Sequence, residues 1–350
     1  MHLLDWGMER HTYQVRWDQS LLWETVLGIA AVTYTEIHPT LETTTSYWKN
    51  SSQSFSNTLQ LTLEEAKQHN LWKTLLHLVF YSQSHDVKAF LEWMQRLDPK
   101  IFRYHALPYL GEEWEDARKQ AAQGDEVAVT TLVQAGKQNP MFPSYIRHMT
   151  EVEIDPLKEK LNLLVEHWYQ EVIAPHASWL NEILEREIHS RESRMESLTS
   201  EQIVEELTGI AYTPEPSVYE VVLIPHIVYR PWTIQGSAQG TRIFYYPVSD
   251  ESLFVKEDPY APPSTLIRFH KALGDEKRLR ILKMLQQKHR SLQELAEGMN
   301  LPKTTVHHHL RMLRSAHLVE LNGNQFCIGM RGLERGGRGL QAFLEKEDVL

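Results

Sequence analysis

Hydrophobic positions along the chain change their period twice. From residue 20 to about 210 they recur mostly at three- and four-residue intervals, the spacing that places side chains on one face of an α-helix. This pattern predicts helices over about 20–34, 63–81, 84–97 and 112–136, with a long helical stretch near 156–196. A further helix is expected to start at Thr199 or Ser200, whose hydroxyls suit an N-cap. Ahead of these, the alternation of Tyr13, Val15 and Trp17 reads as a short strand. Residues 217–248, SVYEVVLIPHIVYRPWTIQGSAQGTRIFYYPV, are rich in Val, Ile, Tyr and Trp and broken by Pro225, Pro231, Gly236 and Gly240, which predicts two or three strands. No internal repeat is evident.

The stretch SDESLFVKEDPYAPPS (249–264) contains Pro259, Pro262 and Pro263, which lack backbone donors and push their neighbours towards extended conformations. It divides the chain into an N-terminal domain, 1–258, and a C-terminal domain, 264–350. Beyond it the punctuation is dense. STLIRFHKALG (264–274) reads as an amphipathic helix, and Asp275 is placed to cap EKRLRILKMLQQK, whose Leu279, Ile281, Leu282 and Leu285 are expected to form one apolar face. Ser291-Leu292-Gln293-Glu294 is a capping-box pattern that opens a third helix, with Leu292, Leu295, Ala296 and Met299 inward. Asn300 stands where a left-handed helix end is tolerated, and Pro302 suits the entry of a fourth helix running from Lys303 to about Ala316. Val306, Leu310 and Leu313 give that helix a core stripe at i, i+4 and i+7. The pair is a helix-turn-helix, followed by a hairpin or wing: LVEL (318–321), the turn Asn322-Gly323-Asn324, and QFCI (325–328). A closing helix is expected from Leu333 to Glu345, with Leu340, Phe343 and Leu344 available to a twin copy. The fold class is therefore α+β: a mostly helical N-terminal domain with a small β-rich segment, plus a C-terminal winged helix-turn-helix.

Charge sharpens this division. The chain of 350 residues carries a net charge of −10, yet residues 264–350 hold 15 Lys and Arg against 9 Asp and Glu, a net +6, leaving −16 on the remainder. A basic module on an acidic body points to polyanion binding by the basic part. The single cysteine, Cys327, excludes an intrachain disulfide and a thiolate cluster and fits a reducing compartment. The apolar stretches 21–34 and 71–81 are interrupted by Glu24, Lys73 and His77 and are shorter than the roughly 20 residues a bilayer span needs. MHLLDWGMERH at the start lacks the features of a secretory leader. Together these predict a cytoplasmic protein with no membrane partner.

The most conspicuous chemistry is the run Val306-His307-His308-His309-Leu310. Consecutive helical positions point about 100° apart, so three adjacent histidines cannot converge on one tetrahedral ion. Neither a metal nor a cofactor is expected. His307 and His308 fall on the side away from the apolar stripe, where a recognition helix meets base edges and phosphates, while His309, three residues after Val306, is expected to pack.

At this point ALGDEKRLRILKML…SLQELAEGMNLPKTTVHHHLRMLRSAHLVEL resembles the winged helix-turn-helix of the ArsR family of bacterial repressors, over about residues 264–330. The resemblance implies double-stranded DNA as partner, a homodimer and an operator that is an imperfect inverted repeat. It also implies that Lys303, Thr304, Thr305, His307 and His308 face the major groove, with Arg311 and Arg314 nearer the phosphates. Arg278 and Arg280 are further candidates for backbone contacts, and Asn322, Asn324 and Gln325 for weak contacts from the hairpin. Wings in the family usually carry arginines at the tip, which this one lacks. The cysteine pair of metal-sensing members, on the helix matching SLQELAE (291–297), is also missing, so metal sensing is not expected.

The N-terminal body resembles, more weakly, the large uncharacterised domain of longer members, through residues 15–34 and 221–247. It is read as a sensory or dimer-supporting domain for an unknown non-metal effector, and the whole chain as a repressor released by that effector. Of ten tryptophans, including Trp6, Trp17, Trp23 and Trp232, most are assigned to the core. Tyr229, Trp232, Arg242 and Tyr246 are the candidate effector contacts, and His226 is read as structural or exposed. An enzyme is not expected: the sequence has no HExxH helix, P-loop, GxGxxG turn, GxSxG elbow or Cys/His nucleophile pattern. His167 and His176 are separated by Pro175 and do not share a helical face, and acid pairs such as Glu112/Glu113 and Glu205/Glu206 are ordinary for helix surfaces. The alternative is a DNA-binding structural factor whose body makes protein contacts only.

Overall fold

The computed structural model describes residues 12–42, 54–195, 197–253 and 260–345. Trp6 lies outside the described residues. The chain divides into two compact units, Met1–Val248 and Ser249–Leu350. The second unit starts earlier than the prolines suggest, because Asp250–Leu253 forms a helical turn whose Asp250 carboxylate accepts from Ser264 N (2.7 Å) and Oγ (2.9 Å) at the entry of the next helix.

In the first unit β1 (Gln14–Trp17) leads into α1 (Leu21–Thr33). Ten α-helices follow before the sheet resumes among the described residues, the first nine being α2 (Asn57–His69), α3 (Trp72–Ser82), α4 (Val87–Arg96), α5 (Pro99–Ala106), α6 (Glu115–Ala122), α7 (Glu126–Ala135), α8 (Phe142–Glu151), α9 (Ile154–Trp168) and α10 (Ala177–Met195). The helix expected over 63–81 is two helices. Asn70 adopts the left-handed conformation, φ 53° and ψ 39°, and ends α2 there, as a short polar side chain tolerates. The long stretch near 156–196 is likewise broken, by a π-helical segment Tyr169–Ile173 and a tight turn at Pro175. Helices α5 and α8 were not expected, although Asp98-Pro99 caps and opens α5 in the way Asp followed by Pro commonly does.

After α11 (Ser200–Thr208), whose Thr199–Gln202 capping box is complete, come β2 (Glu220–His226), β3 (Ile234–Ala238) and β4 (Thr241–Pro247). The sheet order is β1-β2-β4-β3, with β1, β2 and β4 parallel and β3 antiparallel at the edge. Both faces are covered, which explains why the strands read as continuous apolar runs. Val222, Ile224, Ile243 and Tyr245 join the large helical core, while Val221, Leu223, Phe244 and Tyr246 join a smaller one with Tyr13 and Val204.

The first helix is buried along most of its length, so its apolar positions show no single face. Gly28 sits where a Cβ would lie 2.8–3.0 Å from the indole of the fully buried Trp168. Gly28→Ala is therefore expected to destabilise this unit by roughly 2 kcal/mol through overpacking. A lowered urea midpoint with unchanged slope, followed by tryptophan fluorescence, checks this. All ten tryptophans lie before residue 249, so the signal reports on the first unit alone.

The second unit contains α12 (Ser264–Leu273), α13 (Glu276–Gln287), α14 (Leu292–Met299), α15 (Lys303–Ser315), the hairpin β5 (Val319–Asn322) and β6 (Gln325–Ile328), and α16 (Met330–Glu345). Phe269, Ile281, Leu285, Leu295, Val306, Leu310, Leu313, Leu318 and Phe326 form its core. Leu279 does not join it and is 49% exposed. Positions 281 and 285 share one helical face, whereas position 279 lies two residues from 281 and points across the helix. The terminal helix begins three residues earlier than expected. Its glycines allow a close approach: a Cβ on Gly336 would meet the Phe269 ring at 2.0 Å, and one on Gly332 the His317 carbonyl at 2.0 Å.

Candidate nucleic-acid interface

Local signals hold the two central helices of the second unit in register. The Ser291 hydroxyl accepts from Glu294 N (3.3 Å) while Glu294 Oε2 accepts from Ser291 N (2.8 Å), closing the capping box at the start of α14. That helix ends at Asn300, φ 51° and ψ 48°, where Leu301 N donates to Ala296 O at 3.0 Å. Pro302 then opens α15, and its carbonyl accepts from Thr305 N and Val306 N. With Val306, Leu310 and Leu313 fully buried, the opposite side of α15 is fixed towards solvent.

Thr304 and His308 are exposed on that side and Lys303 is exposed as the first residue of the helix, while Thr305, His307, Arg311 and Arg314 are half-buried. Lys303 Nζ donates to Gln293 Oε1 at 3.4 Å. Gln293, the second residue of α14 and exposed, was passed over in the sequence reading; the capping box at Ser291 was the signal that places it in the first turn, beside the start of α15. The histidine run separates as its spacing requires. His309 is 8% exposed, with Nδ1 3.8 Å from the Asp275 carboxylate, and burial lowers its pKa from the ordinary value. Asp275 caps α13 by accepting from Arg278 N at 3.0 Å, a bond that holds its carboxyl below the usual range. Among the described residues no group of three or more His, Cys, Asp or Glu side chains could hold a metal ion.

Among the candidate contacts, Arg278 is engaged within the unit itself. Its Nε donates to Ala272 O (2.7 Å) and its Nη2 to Lys271 O (2.8 Å), satisfying carbonyls at the end of α12, and its side chain is 13% exposed. Arg280, two residues further along α13 and so on its other side, is exposed. In the hairpin Asn322 pairs with Gln325 across Gly323 and Asn324, with φ +57° at Gly323, where a two-residue turn favours glycine. Asn322, Asn324 and Gln325 are all exposed, and Arg290 bridges to Phe326 so that the segment before α14 widens the hairpin. Cys327 is half-buried beside the Glu320 carbonyl, and burial raises its thiol pKa.

The four candidate effector contacts in the first unit do not converge. Tyr229 is buried in the large core and Trp232 packs against it, with Nε1 donating to Thr40 Oγ1 at 3.0 Å. Tyr246 is buried in the core on the opposite face of the sheet. Arg242 binds Ser237 and Gln235 of the adjacent strand and lies over the Tyr212 and Phe244 rings. Period-two alternation in a sheet covered on both sides splits such a set between two cores. His226 is fully buried, its Nε2 3.0 Å from Trp232 O, and burial drives its pKa down to about 3.

A family model of helix-turn-helix domains matches residues 273–322, from the end of α12 through β5. The chain thus carries a helix-turn-helix DNA-binding domain in its second unit. No curated protein and no solved structure matches the chain. None of the described helices is long and apolar enough to cross a membrane.

Proposed function

We propose that the protein is a transcriptional regulator of the ArsR type, a homodimer that binds an imperfect inverted repeat and represses until an effector reaches the N-terminal unit. The observation that carries the reading is the outward presentation of Lys303, Thr304 and His308 on a helix whose opposite side is locked into a core. Exposed cationic and hydroxyl side chains on such a helix can reach guanine edges, thymine methyls and phosphates in a major groove. The hairpin with its uncharged tip plays the part of a wing with weak contacts. A second copy is supported by α16, which leaves Leu340 41% and Leu344 72% exposed on the terminal helix. In the dimer two recognition helices enter successive major grooves about 34 Å apart. Effector binding changes the spacing of the two helix-turn-helix domains and releases DNA.

Selection of bound sequences from random duplexes, using the purified full chain, tests the reading. The expected product is a pair of related half-sites in inverted orientation, with centres about one helical turn apart. Failure to enrich any sequence rejects site-specific binding, and enrichment of an isolated half-site rejects the dimer.

A further inference from the structure

We infer that Gln293 is a second specificity-determining residue of the DNA-binding domain, and that together with Lys303 it reads one G·C base pair in the major groove. That the start of α15 enters this groove is the premise, and it belongs to the function proposed above. Lys303 is the first residue of α15 and stands three positions before the buried Val306, so its side chain leaves the helix on the flank towards α14. Gln293 is the second residue of α14, one turn before Glu297 on the same face. All three residues are exposed.

Their side chains form a chain of hydrogen bonds. Lys303 Nζ donates to Gln293 Oε1 at 3.4 Å, and Gln293 Nε2 donates to Glu297 Oε1 at 2.9 Å. An ammonium can only donate and a carboxylate can only accept, so one orientation of the amide satisfies both ends and the reverse satisfies neither. Gln293 therefore presents its oxygen, not its nitrogen, beside the Lys303 ammonium. Its place does not depend on that ammonium. The bond to the charged acceptor is the stronger of the two kinds, and the first turn of α14 is set separately by the reciprocal bonds of Ser291 and Glu294. When Lys303 turns to DNA its long bond to Gln293 is released. The amide, still tied to Glu297, then offers a free acceptor next to a free donor.

Base pairs match that arrangement unequally. In the major groove guanine shows two neighbouring acceptors, N7 and O6, and its cytosine shows the N4 amino donor beyond them. An ammonium with three donors can serve both guanine atoms while the Gln293 oxygen accepts from cytosine N4. An A·T pair sets its amino donor between two separated acceptors, so it offers the ammonium one acceptor at a time. A glutamine with both ends of its amide free reads adenine through N6 and N7 together. Glu297 closes that mode by holding the nitrogen.

The test measures affinity of the full chain, by fluorescence anisotropy, for the operator selected from random duplexes and for versions of it carrying each other base pair at every position. Wild type should prefer G·C at the base pair where Lys303→Ala relaxes preference. Gln293→Ala should relax it at that same base pair by about fivefold or more, the discrimination one good contact to a base edge supplies, and leave other positions unchanged. Glu297→Ala should narrow the preference for G·C over A·T there, because the freed amide can turn its nitrogen to adenine. A side chain with a merely structural role would weaken every sequence alike. Gln293 and Glu297 are exposed and lie outside the core of the second unit, so both variants should fold. Wild-type preference in either variant, a change at a different base pair, an equal loss on every sequence, or A·T as the preferred pair overturns the inference while leaving the proposed function standing. If no sequence is selected, or Lys303→Ala relaxes no base pair, both fall.

Discussion

Lys303→Ala and His308→Ala, made singly, are each expected to weaken binding to the selected operator by about 1–3 kcal/mol, roughly 5- to 150-fold, and to relax preference at the base pair each side chain reads. Both side chains are exposed on α15 and neither belongs to the core of the second unit, so stability should not change. Lys303 gives up only a long hydrogen bond to Gln293 in turning to DNA. Arg314→Ala should behave differently. A phosphate contact carries no sequence information, so affinity should fall by a similar factor for selected and scrambled duplexes, and the slope of log K against log salt should flatten by about one. Fluorescence anisotropy with both duplexes across a salt series separates the two classes. Wild-type affinity in all three variants would remove α15 from the interface. Arg278→Ala serves as the contrast: with its guanidinium on the carbonyls of Ala272 and Lys271, its loss should lower stability before it touches affinity.

The second unit was legible because its determinants are local. Ser291 with Glu294, Asn300, Pro302 and the stripe Val306, Leu310, Leu313 each fix a boundary or a face within a few residues, and all appear in the structure where the sequence placed them. The engagement of Arg278 was not legible, because carbonyl capping across a helix junction leaves the same composition as a solvent-facing arginine. The first unit was harder for a different reason. Its sheet is buried on both faces and α1 is enclosed, so apolar residues there lack the one-sided pattern from which a face is inferred. Tyr229 and Tyr246 looked like one aromatic set and belong to opposite cores.

Glu24 makes the stability of the first unit depend on pH in a direction opposite to that of most acids. Its carboxylate is 1% exposed, and burial raises its pKa from 4.5 to about 7 even though the backbone N–H groups of Ile227 and Val228 favour the charged form. The folded state therefore holds this proton more tightly than the unfolded state. The contribution is fully present below about pH 4.5, declines as pH rises, and is gone above about pH 7; the shift corresponds to about 3 kcal/mol. In the wild type the trend is masked at the acid end by His77, His105 and His226, whose pKa values burial lowers to about 4, 4 and 3, so that each costs stability as pH falls below its ordinary 6.5. Comparison with Glu24→Gln cancels the histidines. The glutamine resembles the protonated acid and can still accept from the two N–H groups, so the variant should come within about 1 kcal/mol of wild type near pH 5 and exceed it by about 3 kcal/mol at pH 8, in urea titrations read by tryptophan fluorescence. Glu24→Ala should instead be less stable throughout, because it strands two buried donors and opens a cavity beside β2. A stability difference between wild type and Glu24→Gln that stays constant from pH 5 to pH 8 would show that the carboxylate is ionised across that range in the folded state, held by the two backbone donors against its burial.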